Sequence, residues 1–148
     1  MKPDIDRFID VAAMYLIMQL APTLGTKYDQ SNVATLGALL TVLREEFDRA
    51  SARRVDENRA LRHLFAEALP VIQDAALRAR LDQAATSNDN SLLVSDLERT
   101  NAALRALLIE LHVHVEQLAT PEARRIETAI WAELAKSTER RRLMMAPF

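Results

Sequence analysis

At 148 residues, 49% of them apolar and 27% charged, with a formal charge of −2, the chain has the composition of one ordinary globular domain. The absence of cysteine excludes disulfide frameworks, thiolate nucleophiles, zinc knuckles and iron–sulfur ligation. Two glycines, Gly25 and Gly37, cannot build a phosphate-cradling loop, which removes P-loop and dinucleotide fingerprints.

Five prolines divide a sequence otherwise made of good helix formers. The first helix is expected over residues 4–21, with carboxylates in its first turn and a stop at Pro22. Residues 11–21 contain a single polar side chain. The acidic flank of Asp4, Asp6 and Asp10 argues against a signal peptide, and eleven residues are too few to cross a bilayer. The second half of this helix, including Tyr15 and Met18, is therefore expected to be buried in a domain centre or a subunit interface.

A second helix from Asp29 or Ser31 carries Val33, Leu36, Leu40, Leu43 and Phe47 at three and four spacing, the pattern of an amphipathic core helix. Residues 50–54 mark a boundary, and a third helix from about Asp56 runs to Pro70. Helix resumes over 71–85. The polar stretch 86–91 is a loop, a long helix follows over 92–118, and Thr120 caps a last helix that opens at Pro121 and runs toward Met145. No segment alternates with period two, so the fold class is all-α: a single-domain bundle of about five helices with no sheet.

Residues 58–67 and 101–110 match at six of ten positions with an offset of 43 residues. They suggest a weak internal helix repeat over 56–85 and 99–119. Asn58, Leu61, Phe65, Ala68 and Ile72 form one stripe; Leu97, Asn101, Leu104, Leu108, Leu111, Val115 and Leu118 form another with heptad spacing. Asn58 and Asn101 both fall on the apolar stripe, where an asparagine sets the register of a helix pair, within one chain or between two. Chance matching of Leu- and Arg-rich helices is the competing explanation.

The histidine-containing cluster Glu110, His112, His114 and Glu116 forms two i,i+4 pairs. His112 and His114 point about 200° apart and cannot share an ion, so these are read as surface pairs, with no metal and no cofactor expected. The arginines at 49, 53, 54, 59 and 62 lie among acids in a mildly acidic chain, which argues against nucleic acid. They could still steer an anionic partner or a phosphorylated ligand such as a coenzyme A ester. At the C-terminus, Arg140, Arg141 and Arg142 precede Met144, Met145 and Phe148. Residues 138–148 read as a flexible basic tail, with methionine and arginine suited to an interface.

The first third, through Tyr15-Leu16, Leu20-Ala21-Pro22, Leu24-Gly25, the stretch 33–43 and Arg44-Glu45-Glu46, resembles a family of small bacterial helical proteins. Those proteins partner aminoglycoside-phosphotransferase-like kinases of hydroxyacyl-CoA catabolism, beside acyl-CoA dehydrogenases. The similarity covers roughly 50 residues, and it implies an accessory subunit with no catalysis of its own and an acyl-CoA-related enzyme as partner.

These observations predict a cytoplasmic bacterial protein that works by binding other helices, as a homo-oligomer, with a homodimer favoured, or as an accessory subunit of a metabolic enzyme complex. Neither membrane nor nucleic acid is expected as a partner, and catalysis is not expected. The interface residues are Tyr15, Met18, Asn58, Asn101, Arg140, Arg141, Arg142, Met144, Met145 and Phe148. The alternative is a helical ligand-binding protein or enzyme with a pocket between helices, using Tyr15, His63, His112 or Trp131.

Overall fold

The computed structural model describes residues 4–143, and among them 84% helix, five α-helices and no strand establish an all-α fold. The chain groups into two compact units, one reaching to Ala50 and the other spanning Ser51–Arg142.

In the first unit, α1 (Ile5–Met14) begins at Asp4, whose carboxylate accepts the Arg7 N–H. The ladder then widens into a π segment, Tyr15–Leu20, and closes in a 3₁₀ turn, Ala21–Thr23. Pro22 explains the change: it has no N–H to donate and its ring crowds the carbonyl four residues back, so the α ladder cannot continue past it. Ala21 N–H instead donates to the Leu16 carbonyl, five residues back. Thr26 accepts the Asp29 N–H and opens α2 (Lys27–Ala68).

The second and third expected helices are one. α2 runs 42 residues through the boundary placed at 50–54, because no glycine or proline falls between Gly37 and Pro70 and Ala-Ser-Ala-Arg-Arg supplies no cap. It contributes its first half to the first unit and the remainder to the second. Pro70 ends it, and helix restarts not at Val71 but at α3 (Ala75–Thr86), where the Asp74 carboxylate accepts the Leu77 N–H at 2.7 Å. α4 (Val94–Glu116) and α5 (Pro121–Arg141) follow, the latter capped by Thr120 onto Ala123 as its sequence required.

The second unit is a four-helix arrangement built from the end of α2 with α3, α4 and α5. Ser51 meets Leu92, Arg54 meets Glu98 and Asn58 meets Asn101, so α2 and α4 run parallel. Arg80 against Glu110 sets α3 beside α4, and Arg141 against Glu57 returns α5 antiparallel to α2. The core is the two stripes read from the sequence: Leu61, Phe65, Ala68 and Ile72 pack with Leu104, Leu108, Leu111 and Val115, closed by Leu77, Leu81, Ile126 and Ile130. α5 remains helical to Arg141, so residues 138–141 are its last turn rather than part of a tail. Met144, Met145 and Phe148 lie outside the described residues.

Candidate functional site

The first unit is built in reverse of a usual core. α1 and α2 cross where Ala13 and Ile17 meet Gly37; a Cβ at Gly37 would stand 2.5 Å from Ile17 Cγ1 and 2.9 Å from the Ala13 carbonyl oxygen. Arg44 Nε reaches Asp10 at 3.2 Å, fixing the two helices antiparallel. This close approach is possible only because the seam is small: the buried residues of the unit are Ala13, Ala21, Gly37 and Ala50. Many of its large apolar side chains are outside, while Ile9, Leu16, Ile17, Leu20, Val33, Leu40 and Val42 are half-buried. Ile5, Phe8, Val11, Met14, Tyr15 and Met18 are exposed along the first helical segment. Leu36, Leu39, Leu43 and Phe47 are exposed on α2 and fall within an arc of about 80°.

One expectation is thereby narrowed and one corrected. Of the two places expected for Tyr15 and Met18, a domain centre is excluded, since they are 56% and 60% exposed, which leaves the interface. Leu36, Leu43 and Phe47 carry the spacing of a core stripe but point to solvent, because two helices alone offer too little surface to cover it.

In the second unit the polar residues that the sequence marked as interface are turned inward. Asn101 Nδ2 donates to Asn58 Oδ1 at 3.0 Å, and both residues are almost wholly buried. Asn58 Nδ2 donates in turn to Asp89 Oδ1 at 3.0 Å and toward the Leu97 carbonyl at 3.4 Å. The pair thus aligns α2 with α4 inside the chain and offers nothing to a sister subunit. Arg62 closes the network with two hydrogen bonds to Asp89, at 2.9 and 2.8 Å, and one to Ser87, which pins the 86–91 loop onto α2. Those bonds hold the Asp89 carboxyl below its ordinary range; burial opposes the shift and Asn58 adds to it.

Arg141 makes two hydrogen bonds to Glu57, at 2.9 and 2.8 Å, and Ser137 donates a third at 3.3 Å. Burial by itself would raise the Glu57 carboxyl, but the Arg141 hydrogen bonds and the charges of Arg141 and Arg54 outweigh it and hold the carboxyl low. Arg140 is engaged by Glu133 at 2.8 and 3.1 Å. Arg141 therefore ties α5 to α2, while Arg140 is paired within α5 itself, and neither is presented as a basic interface. Arg142 is exposed and lies 3.9 Å from Glu139.

Of the four pocket candidates, Tyr15 is exposed in the first unit, and the three in the second unit do not converge on one cavity. His63 lies on the outside of α2, in an open groove of about 380 Å³ bordered by Glu67, Lys136 and Arg140. His112 and Trp131 meet each other instead, edge to face, with ring centroids 5.1 Å apart. Trp131 is 56% exposed, not a core residue of α5. The Glu110–His114 pair expected on α4 is absent, because Glu110 is taken by Arg80 at 2.7 and 2.6 Å. Compared with protein-family models, with curated proteins and with solved structures, the chain matches none.

Proposed function

We propose that this protein is a non-catalytic helical interaction protein that pairs with a second copy of itself through its first unit. The observation that carries the reading is a hairpin whose fully buried residues are all small while ten large apolar side chains stand exposed along it. Those ten side chains, six along the first helical segment and four on α2, are each about half exposed or more, and the two stripes together present on the order of 1,000 Å². A standard interface takes about 800 Å² from each partner. A monomer rarely leaves so much apolar surface uncovered.

A second copy suits this surface better than a lipid or a polyanion. The stripes are bordered by charges of both signs, the acids Asp4, Asp6, Asp10, Glu46 and Asp48 and the arginines Arg7 and Arg44, and a two-fold arrangement can set Arg7 of one copy against an acid of the other. The acids of the first turn disfavour an anionic lipid surface, and no described helix is long and apolar enough to cross a membrane. The arginines that could have bound nucleic acid face carboxylates instead: Arg49 with Glu45, Arg54 with Glu98, Arg59 with Asp56, Arg62 with Asp89.

The test is native mass by light scattering on a sizing column across a dilution series. The expected species has twice the 16.7 kDa mass of the chain. Met18→Glu and Leu43→Glu should each shift it toward monomer, whereas Ile109→Glu, exposed in the second unit, should not. A wild-type monomer at all concentrations removes self-association. A stoichiometric second polypeptide eluting with the tagged chain from its native host would then make it an accessory subunit, and an acyl-CoA-metabolising enzyme is the partner to look for.

A further inference from the structure

The α4–α5 pair carries a group of side chains that self-association does not use. His112 and Glu116 stand four residues apart on α4, so one helical turn brings both to the same side. Glu127 faces them from α5. One ligand atom from each, a ring nitrogen and two carboxylate oxygens, all lie within 4.8 Å of one another.

Their spacing suits a small ion. His112 Nε2 and Glu116 Oε1 are 3.5 Å apart. Two ligands bound about 2.1 Å from an ion at the tetrahedral angle stand roughly 3.4 Å from each other. Glu127 needs to close at most about 1.4 Å to join them, which a change of rotamer at a partly exposed side chain supplies.

A second observation points the same way. His112 Nε2 is shielded from water and has no hydrogen-bond partner; its contact with Glu116 lacks hydrogen-bond geometry. Buried ring nitrogens are ordinarily satisfied, so one without a partner beside two carboxylates is open to an ion; His114 Nε2 is likewise unpartnered but belongs to no three-ligand group among the described residues. Trp131, one turn beyond Glu127, contacts the imidazole at an interplanar angle of 84° and so orients it. Among the described residues, no lysine or arginine lies within ion-pair distance of Glu116 or Glu127 to neutralise them.

We infer that His112, Glu116 and Glu127 form a binding site for a divalent first-row transition ion of the Zn²⁺ type, joining α4 to α5. One imidazole with two carboxylates is a donor set for such ions, whereas Mg²⁺ and Ca²⁺ take oxygen ligands throughout. Three protein ligands leave the remaining position to water. The i,i+4 pair of His63 and Glu67 has a similar 3.4 Å separation, but it belongs to no three-ligand group among the described residues. It serves as the internal control.

Untagged full-length protein, stripped with a chelator, would be titrated with Zn²⁺ by calorimetry and with Co²⁺ or Cu²⁺ by quenching of Trp131, the sole tryptophan. One ion per chain is expected, with quenching reversed by Zn²⁺. His112→Gln and Glu127→Gln should each weaken Zn²⁺ binding tenfold or more, and His63→Gln should leave it unchanged, with far-UV circular dichroism matched throughout. Should His112→Gln fail to fold, the partly exposed Glu127→Gln carries the test. The inference is overturned by the absence of saturable binding, by unchanged affinity in Glu127→Gln, or by loss of binding in His63→Gln.

Discussion

Replacing Asn101 by alanine tests the register pair directly. The change removes the 3.0 Å donor to Asn58 Oδ1 and leaves that oxygen inside a core where both residues are at most 2% exposed. An orphaned buried acceptor costs about 1–3 kcal/mol, and the small void left by the amide adds to it. A loss of about 2–3 kcal/mol is expected, or roughly 5–10 °C in melting temperature for a chain of this length. Asn58→Ala should cost more, since Asn58 also donates to Asp89 and toward the Leu97 carbonyl. The two changes share a bond, so the double variant should cost less than their total. Urea unfolding followed by Trp131 reports on the second unit alone, at one fixed protein concentration so that self-association does not move the midpoint. An Asn101→Ala midpoint within about 0.5 kcal/mol of wild type, the range of an ordinary surface change, would refute the register argument.

Acid should destabilise the second unit in a defined sense. Asp89 and Glu57 both have folded-state pKa values below their ordinary ones, so their contribution is fully present above the ordinary carboxylate range and disappears as pH falls through the lowered values. Urea midpoints measured from pH 7 down to pH 3 should fall on the acid side, and Arg62→Met should flatten that limb by removing the cause of the Asp89 shift. At the hairpin seam, Gly37→Ala should destabilise despite the better helix propensity of alanine, worth about 1 kcal/mol. The added Cβ would meet a backbone carbonyl at 2.9 Å as well as Ile17, and such overpacking costs about 1–3 kcal/mol. Thermal circular dichroism should show a lower melting temperature, and light scattering a weakening of the proposed dimer; a raised melting temperature, the gain in helix propensity alone, would refute the close approach at Gly37.

Much of the second unit was legible in the sequence because helical period and burial coincide there. The stripes through Asn58 and Asn101 are both buried, and the offset of 43 residues places the two asparagines against each other. Thr120-Pro121 opened α5 as a cap and first-turn proline require. Helix boundaries were less legible. Residues 50–54 looked like a break but contain nothing that stops a ladder, and only the continuous hydrogen bonding of α2 decided it.

What the sequence determined by itself is local: an all-helical chain, since proline and glycine are confined to a few points, and the apolar positions of each helix, since 3.6 residues per turn places them. What it could not determine is which neighbour each face meets, because the same three and four spacing marks Leu61, which is buried, and Leu43, which is exposed. Only tertiary structure decided that Asn58 pairs within the chain and that Arg141 neutralises Glu57 from 84 residues away. It also supplied Glu127, absent from any reading of α4 alone, because a three-ligand group needs two helices and sequence distance carries no information on which helices are adjacent.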